Sequence, residues 1–182
     1  KDSWKLGGGS IWTTPALDTE LGLLYFGTGN PSPQMEDSTR PGDSRNTVSL
    51  VAVDVNTGIL KWAYQQVPHD RWGYDVASPP VLIDFIKDGK TIKAVSQASK
   101  VGWLYVHDRA TGELLMRSDA FVPQENLFAR PTEEGVRIAP STFGATTWSP
   151  AAYYPELNSM FIEGIYTAAK FYTKKLTPEP GK

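Results

Sequence analysis

The sequence predicts an all-β protein assembled from repeated antiparallel hairpins. Three observations carry that expectation. Apolar and aromatic residues alternate along short segments, and helical periodicity is hard to find. Turn formers are abundant, with 16 Gly and 14 Pro in 182 residues, above ordinary usage. One hairpin also recurs: L-V-A-V-D-V-N-T-G-I-L-K-W at 50–62 and L-Y-V-H-D-R-A-T-G-E-L-L-M at 104–116. Val53 aligns with His107, Asp54 with Asp108, Thr57 with Thr111 and Gly58 with Gly112. In D-x-x-T-G the Asp side chain accepts amides of its own turn, and Gly takes the left-handed position. The aromatic that follows packs on a neighbouring sheet. Repeats of this kind point to propeller blades of four strands; two similar hairpins in a sandwich are the alternative.

In chain order, Ile11–Leu17 and Leu21–Gly27 read as strands separated by the turn Asp18-Thr19-Glu20. Ser49–Val55 and Leu60–Gln66 flank Asn56-Thr57-Gly58. Val81–Ile86 and Thr91–Ala98 flank Lys87-Asp88-Gly89-Lys90. Val101–His107 and Glu113–Arg117 flank Arg109-Ala110-Thr111-Gly112. Ala151–Tyr154 and Met160–Ile165 flank Pro155–Ser159. These segments group into expected blades near 11–67, 79–118 and 146–175. Two long irregular stretches, Pro31–Asn46 and Ala120–Gly144, are of a length that in compact domains usually serves function or is disordered. One propeller unit over 1–176 and a flexible tail at 177–182 are expected.

Composition excludes several classes. Net charge is −2 with no lysine-rich stripe, which argues against nucleic acid. No apolar run reaches the roughly 20 residues of a membrane span. Cysteine is absent, so disulfides and thiolate metal sites are excluded. The chain opens K-D-S-W-K without methionine, as a cleaved or excised chain does, so the missing signal peptide is uninformative about compartment. There is no G-x-S-x-G, P-loop or GxGxxG; Gly27-Thr28-Gly29 is too short for a nucleotide fingerprint. The two histidines, His69 and His107, lie on different hairpins, and His107 reads as a strand residue. Glu133 and Glu134 sit in a long loop as solvated charges.

Three stretches carry more specific chemistry: G-G-G-S-I-W at 7–12, G-T-G-N-P-S-P at 27–33 and H-D-R-W-G-Y-D at 69–75. With A-x-D-x-x-T-G-x-x-x-W at 52–62, their order and spacing resemble the quinoprotein alcohol dehydrogenases. These are eight-bladed propellers that use pyrroloquinoline quinone (PQQ) with calcium or a lanthanide. The resemblance spans roughly residues 7–170 and about three to four blades of eight. It implies a PQQ- and metal-dependent oxidation of alcohols in the periplasm, with electrons passed to an acceptor such as a cytochrome c. It also implies that the rest of the propeller, or another chain, completes the ring.

Residue by residue, the resemblance makes Trp12 the aromatic floor under the quinone and Asn30 a carbonyl ligand of a hard cation. Lys100, in S-K-V-G-W, falls where a cation stabilises charge on the quinone oxygens. Thr147, in G-A-T-T-W-S-P, stands where the family usually places asparagine; it offers the cofactor one hydroxyl in place of an amide. Ser10 is placed to reach a cofactor carboxylate. The family's proton-abstracting aspartate follows the loop tryptophan, but here Gly73 follows Trp72. Asp75, two positions on, matches an additional aspartate that ligates a lanthanide in some members. Asp75 therefore stands as metal ligand, as substitute base, or as neither. Asp70 is expected to cap backbone amides. A binding or scaffold propeller that has lost the chemistry is the competing reading, favoured by Gly73 and Thr147.

Overall fold

A computed structural model describes residues 8–175. The boundary at 176, the tail at 177–182 and Gly7 of the first motif lie outside the described residues. Two four-stranded antiparallel sheets dominate. The first runs β1 (Ala16–Asp18), β2 (Leu23–Gly27), β3 (Ser49–Asp54) and β4 (Leu60–Gln65), in that spatial order. The second runs β5 (Val81–Lys87), β6 (Lys90–Ala98), β7 (Leu104–Asp108) and β8 (Leu114–Arg117), also in chain order. Each is an up-and-down meander, as a propeller blade requires. The remaining strands are β9 (Val136–Ile138), β10 (Ala152–Tyr154), β11 (Ser159–Phe161) and β12 (Ala169–Phe171). They form two ribbons, β10–β11 and β9–β12.

The repeated turns form as their chemistry dictates. Asp54 Oδ1 accepts the amides of Asn56 (3.1 Å) and Thr57 (3.0 Å) and the Thr57 hydroxyl (2.9 Å). Asp108 does the same with Ala110, Thr111 and the Thr111 hydroxyl. Gly58 and Gly112 follow at φ 70° and 77°.

The seam between the blades is where the two copies diverge. Trp62 of the first blade lies over the second blade's turn and donates its indole N–H to Arg109 O (3.2 Å). Tyr25 donates its hydroxyl to the same carbonyl at 2.8 Å. The Arg109 guanidinium pairs with Asp18, 1 % exposed, at 3.1 Å and with Glu20. His107 is fully buried against Trp62, Tyr64 and Tyr105, and burial holds its imidazole below the usual range. It is the strand residue that the sequence indicates.

A Cβ on Gly112 would sit 2.6 Å from Trp62 Cδ2, whereas one on Gly58 would meet nothing. Both glycines have positive φ, so the backbone strain of an alanine is common to both. Gly112→Ala is expected to destabilise the chain by about 1–3 kcal/mol more than Gly58→Ala, because only the former overpacks the docked indole. Urea midpoints of the two variants read the difference. Equal midpoints would show that the indole shifts without cost.

Two expectations are corrected. The strand expected at Ile11–Leu17 is confined to Ala16–Asp18. Upstream, Gly29 N donates to Ser10 O (2.7 Å) and Ser32 N to Gly8 O (2.8 Å), so this backbone is held by the 29–32 loop and not by a ladder. The third blade expected at 146–175 is not a four-stranded unit. Its hairpin β10–β11 docks on β5, where the Tyr153 hydroxyl donates to Asp84 O (2.9 Å). Its last strand, β12, pairs with β9 in the stretch expected to be irregular. Bonds from Ile165 N to Ala145 O and from Ser141 N to Thr167 O draw residues 162–168 back to that stretch. The described residues thus hold two complete blades and two ribbons.

Candidate active site

The stretch 69–75 is built around Asp70. This side chain is fully buried and accepts the amides of Trp72 (3.0 Å), Gly73 (3.2 Å) and Tyr74 (3.2 Å). It also accepts the Asn30 side-chain amide at 3.2 Å. Burial pushes the Asp70 carboxyl up, and the three backbone amides offset only part of that rise. Asp70 is therefore the loop's organiser, as its sequence position suggests. Trp72 anchors the far side by donating to Ala129 O (2.8 Å), and Tyr74, fully buried, donates to Pro140 O (2.6 Å). The chain consequently turns sharply at Gly73, whose φ is 87°.

Behind that turn four of the indicated residues converge. Asp75 is 8 % exposed. Its Oδ1 receives Lys100 Nζ at 2.6 Å, and its Oδ2 receives the Trp12 indole N–H at 3.2 Å. The Asn30 backbone amide approaches the same Oδ2 at 3.5 Å. Lys100 Nζ also donates to Gly73 O (2.9 Å) and Thr142 O (3.0 Å). An ammonium has three N–H donors, and all three are engaged. In this arrangement Lys100 offers a bound quinone its charge but no spare hydrogen bond. Its first task is to hold Asp75 and the turn.

The residues fit a hard cation in part. The Asn30 amide nitrogen is committed to Asp70, which leaves Oδ1 as the acceptor end of the amide. Asn30 Oδ1 and the Asp75 carboxylate are the oxygen donor types that calcium or a lanthanide takes, but such ions need six to eight donors. Among the described residues no group of three His, Cys, Asp or Glu side chains is placed to hold a metal. What is present is part of a coordination shell. Trp12 fits the role of a stacking floor: it is 43 % exposed, yet its edge is pinned by Asp75.

The other indicated residues stand apart. Ser10 is beside Gly29 through its carbonyl, at the edge of the cluster. Thr147 is 5 % exposed, and among the described residues no hydrogen bond ties it to Asp75 or Lys100. His69 is turned outward and bridges the long 31–46 loop, contacting Gly42 O and Asp37 Oδ2. The contribution of Thr142 could not be read beforehand, because it enters through a backbone carbonyl that leaves no trace in residue type.

Comparison with known proteins finds a matching family and several relatives. Residues 1–126 match the PQQ-type family described as glucose/ethanol/alcohol dehydrogenase, β-propeller domain. The chain is 43 % identical over 184 residues to methanol dehydrogenase [cytochrome c] subunit 1 of Methylobacterium organophilum, covering 90 % of this chain and 29 % of that protein. It is 31 % identical over 206 residues to the lanthanide-dependent methanol dehydrogenase of Methylorubrum extorquens, covering 100 % of this chain and 34 % of that protein. The solved quinohemoprotein alcohol dehydrogenase of Pseudomonas putida HK5 superposes with a TM-score of 0.87 at 33 % identity, over 95 % of this chain and 28 % of that one. The chain spans about a third of the length of these relatives.

Proposed function

Because the chain belongs to the PQQ-type alcohol dehydrogenase β-propeller family, we propose that it carries part of the active site of a PQQ- and metal-dependent oxidoreductase acting on alcohols. The observation that supports this most directly is the convergence of Trp12, Asn30 and Lys100 on the single carboxylate of Asp75. When bound, PQQ supplies an electrophilic quinone carbon that accepts hydride from the alcohol carbon. In this reading Trp12 presents the aromatic surface on which that ring system rests. Asn30 Oδ1 and Asp75 give oxygen donors to calcium or a lanthanide. Asp75 is the carboxylate that receives the alcohol proton, the role that Gly73 has no side chain to play. Lys100 holds Asp75 by direct contact and adds positive charge beside the reacting oxygens. The further partners are a periplasmic electron acceptor such as a cytochrome c and the remainder of a propeller, in the same chain or another.

Among the described residues no helix is long and apolar enough to cross a membrane. The relatives' names support the alcohol and lanthanide parts of the reading. A binding propeller without redox chemistry is the second reading. It is favoured by Gly73 and by the full engagement of the Lys100 donors.

Calorimetry with PQQ plus Ca²⁺ or La³⁺ tests the proposal on the 182-residue chain. Because only part of the ligand shell is present, the expected result is weak binding that Trp12→Ala removes. Tight stoichiometric binding would show that the site is already complete. Binding that ignores Trp12→Ala would remove the indole from its assigned role.

A further inference from the structure

The departure at Gly73 has a structural counterpart. A Cβ on Gly73 would lie 2.5 Å from Thr142 Cγ2, 2.7 Å from Gln34 Nε2 and 3.4 Å from Met35 Cε. The volume that a side chain at 73 would need is filled by the long 31–46 loop and by Thr142. Met35 and Thr142 in turn line a crevice of about 540 Å³ together with strand β12. That is a volume suited to a small organic ligand.

The crevice is rich in cations. Arg71, Arg130 and Lys170 line it together with one carboxylate, Asp37. Asp37 is already compensated: it meets Arg71 Nη2 at 2.5 Å and His69 Nε2 at 2.8 Å. Burial raises its carboxyl, but the His69 hydrogen bond and the charges of Arg71, His69 and Arg130 hold it below the usual range. Arg130 and Lys170 form no ion pair among the described residues, and both are exposed at the crevice. Met35, Ala169, Phe171 and Tyr172 supply apolar and aromatic surface beside them. This combination suits an anion on an apolar body. One residue separates it from the candidate site, since Thr142 lines the crevice while its carbonyl accepts Lys100 Nζ at 3.0 Å.

We propose that this crevice is a subsite for the carboxylate end of a substrate that carries a carboxylate and an alcohol on one apolar body, held by Arg130 and Lys170. The assignment rests on the alcohol-oxidising reading for its substrate class, but the anion subsite can be measured without it. The probes are benzoate, 4-(hydroxymethyl)benzoate and benzyl alcohol, titrated by calorimetry into the 182-residue chain. Both carboxylates are expected to bind about tenfold or more tighter than the neutral alcohol, as hydrogen bonds to charged groups predict. Arg130→Gln with Lys170→Met should erase that preference without altering the circular dichroism spectrum, because both side chains are exposed. Equal binding of benzyl alcohol, or an unchanged preference in the double variant, would overturn the subsite. If the carboxylates bind while PQQ binding ignores Trp12→Ala, the subsite stands and the assigned cofactor floor falls. If PQQ binds and the carboxylates do not, the subsite alone falls.

Discussion

Lys100→Met is expected to destabilise the chain by about 3–5 kcal/mol, the usual cost of removing one partner from a buried ion pair. The side chains of Lys100 and Asp75 are 10 % and 11 % exposed, so water cannot replace the lost ammonium around the carboxylate. Three acceptors lose their donor at once: Asp75 Oδ1, Gly73 O and Thr142 O. The last two join the turn at 73 to the 142 segment, so the damage should spread along both. Asp75→Asn is expected to cost less, because Lys100 keeps its two carbonyls and the single amide oxygen still accepts from one of the two donors, Lys100 or Trp12. The double variant should be more stable than the sum of the singles by about 0.5–3 kcal/mol, as for residues in direct contact. Urea unfolding of all four proteins closes the cycle. A loss below about 1 kcal/mol for Lys100→Met would place the pair with solvated surface bridges and remove it from the centre of the site.

Features governed by local chemistry were legible in the sequence. The D-x-x-T-G turns form because Asp54 and Asp108 reach amides two and three residues on, and nothing distant intervenes. Blade pairing followed from the same repeat, since Trp62 has a glycine turn to dock upon. Asp70 was readable as a capping residue for the same local reason. What was not legible depended on distant backbone. Ile11 and Trp12 look like strand residues, but loop 29–32 takes the hydrogen bonds of the adjoining backbone. β12 looks like the end of a third blade, but its partner is β9, more than thirty residues upstream. In the site, Trp12, Asn30, Asp75 and Lys100 were indicated by their place in a resemblance, and the structure brings them together. The saturation of Lys100 by two main-chain carbonyls has no signature in residue type.

Gly73→Asp restores the family's usual residue, yet it is expected to yield a less stable protein with no gain in alcohol oxidation. Two barriers act together. At φ 87° a non-glycine residue is strained, at a cost of order 1–3 kcal/mol. The new Cβ would also strike Thr142 Cγ2 at 2.5 Å and Gln34 Nε2 at 2.7 Å. Gln34 can swing away, but the Thr142 methyl belongs to a residue whose carbonyl is held by Lys100. The carboxylate would therefore enter by displacing the 142 segment, and with it a Lys100 contact. Gly73→Ala separates the effects: it should show most of the stability loss without adding a charge. Asp75→Asn gives the opposite pattern, with modest stability loss. In a propeller completed by its remaining blades and loaded with PQQ and metal, it should lower dye-linked alcohol oxidation by about 10²–10⁴-fold, the usual contribution of a positioned base. A large gain from Gly73→Asp would instead mean that the proton acceptor belongs at 73 and that Asp75 serves the metal alone. Only the paired outcome, no gain at 73 and a steep loss at 75, moves the base by two residues, a shift that Gly73 permits by leaving its space to Thr142 and Gln34.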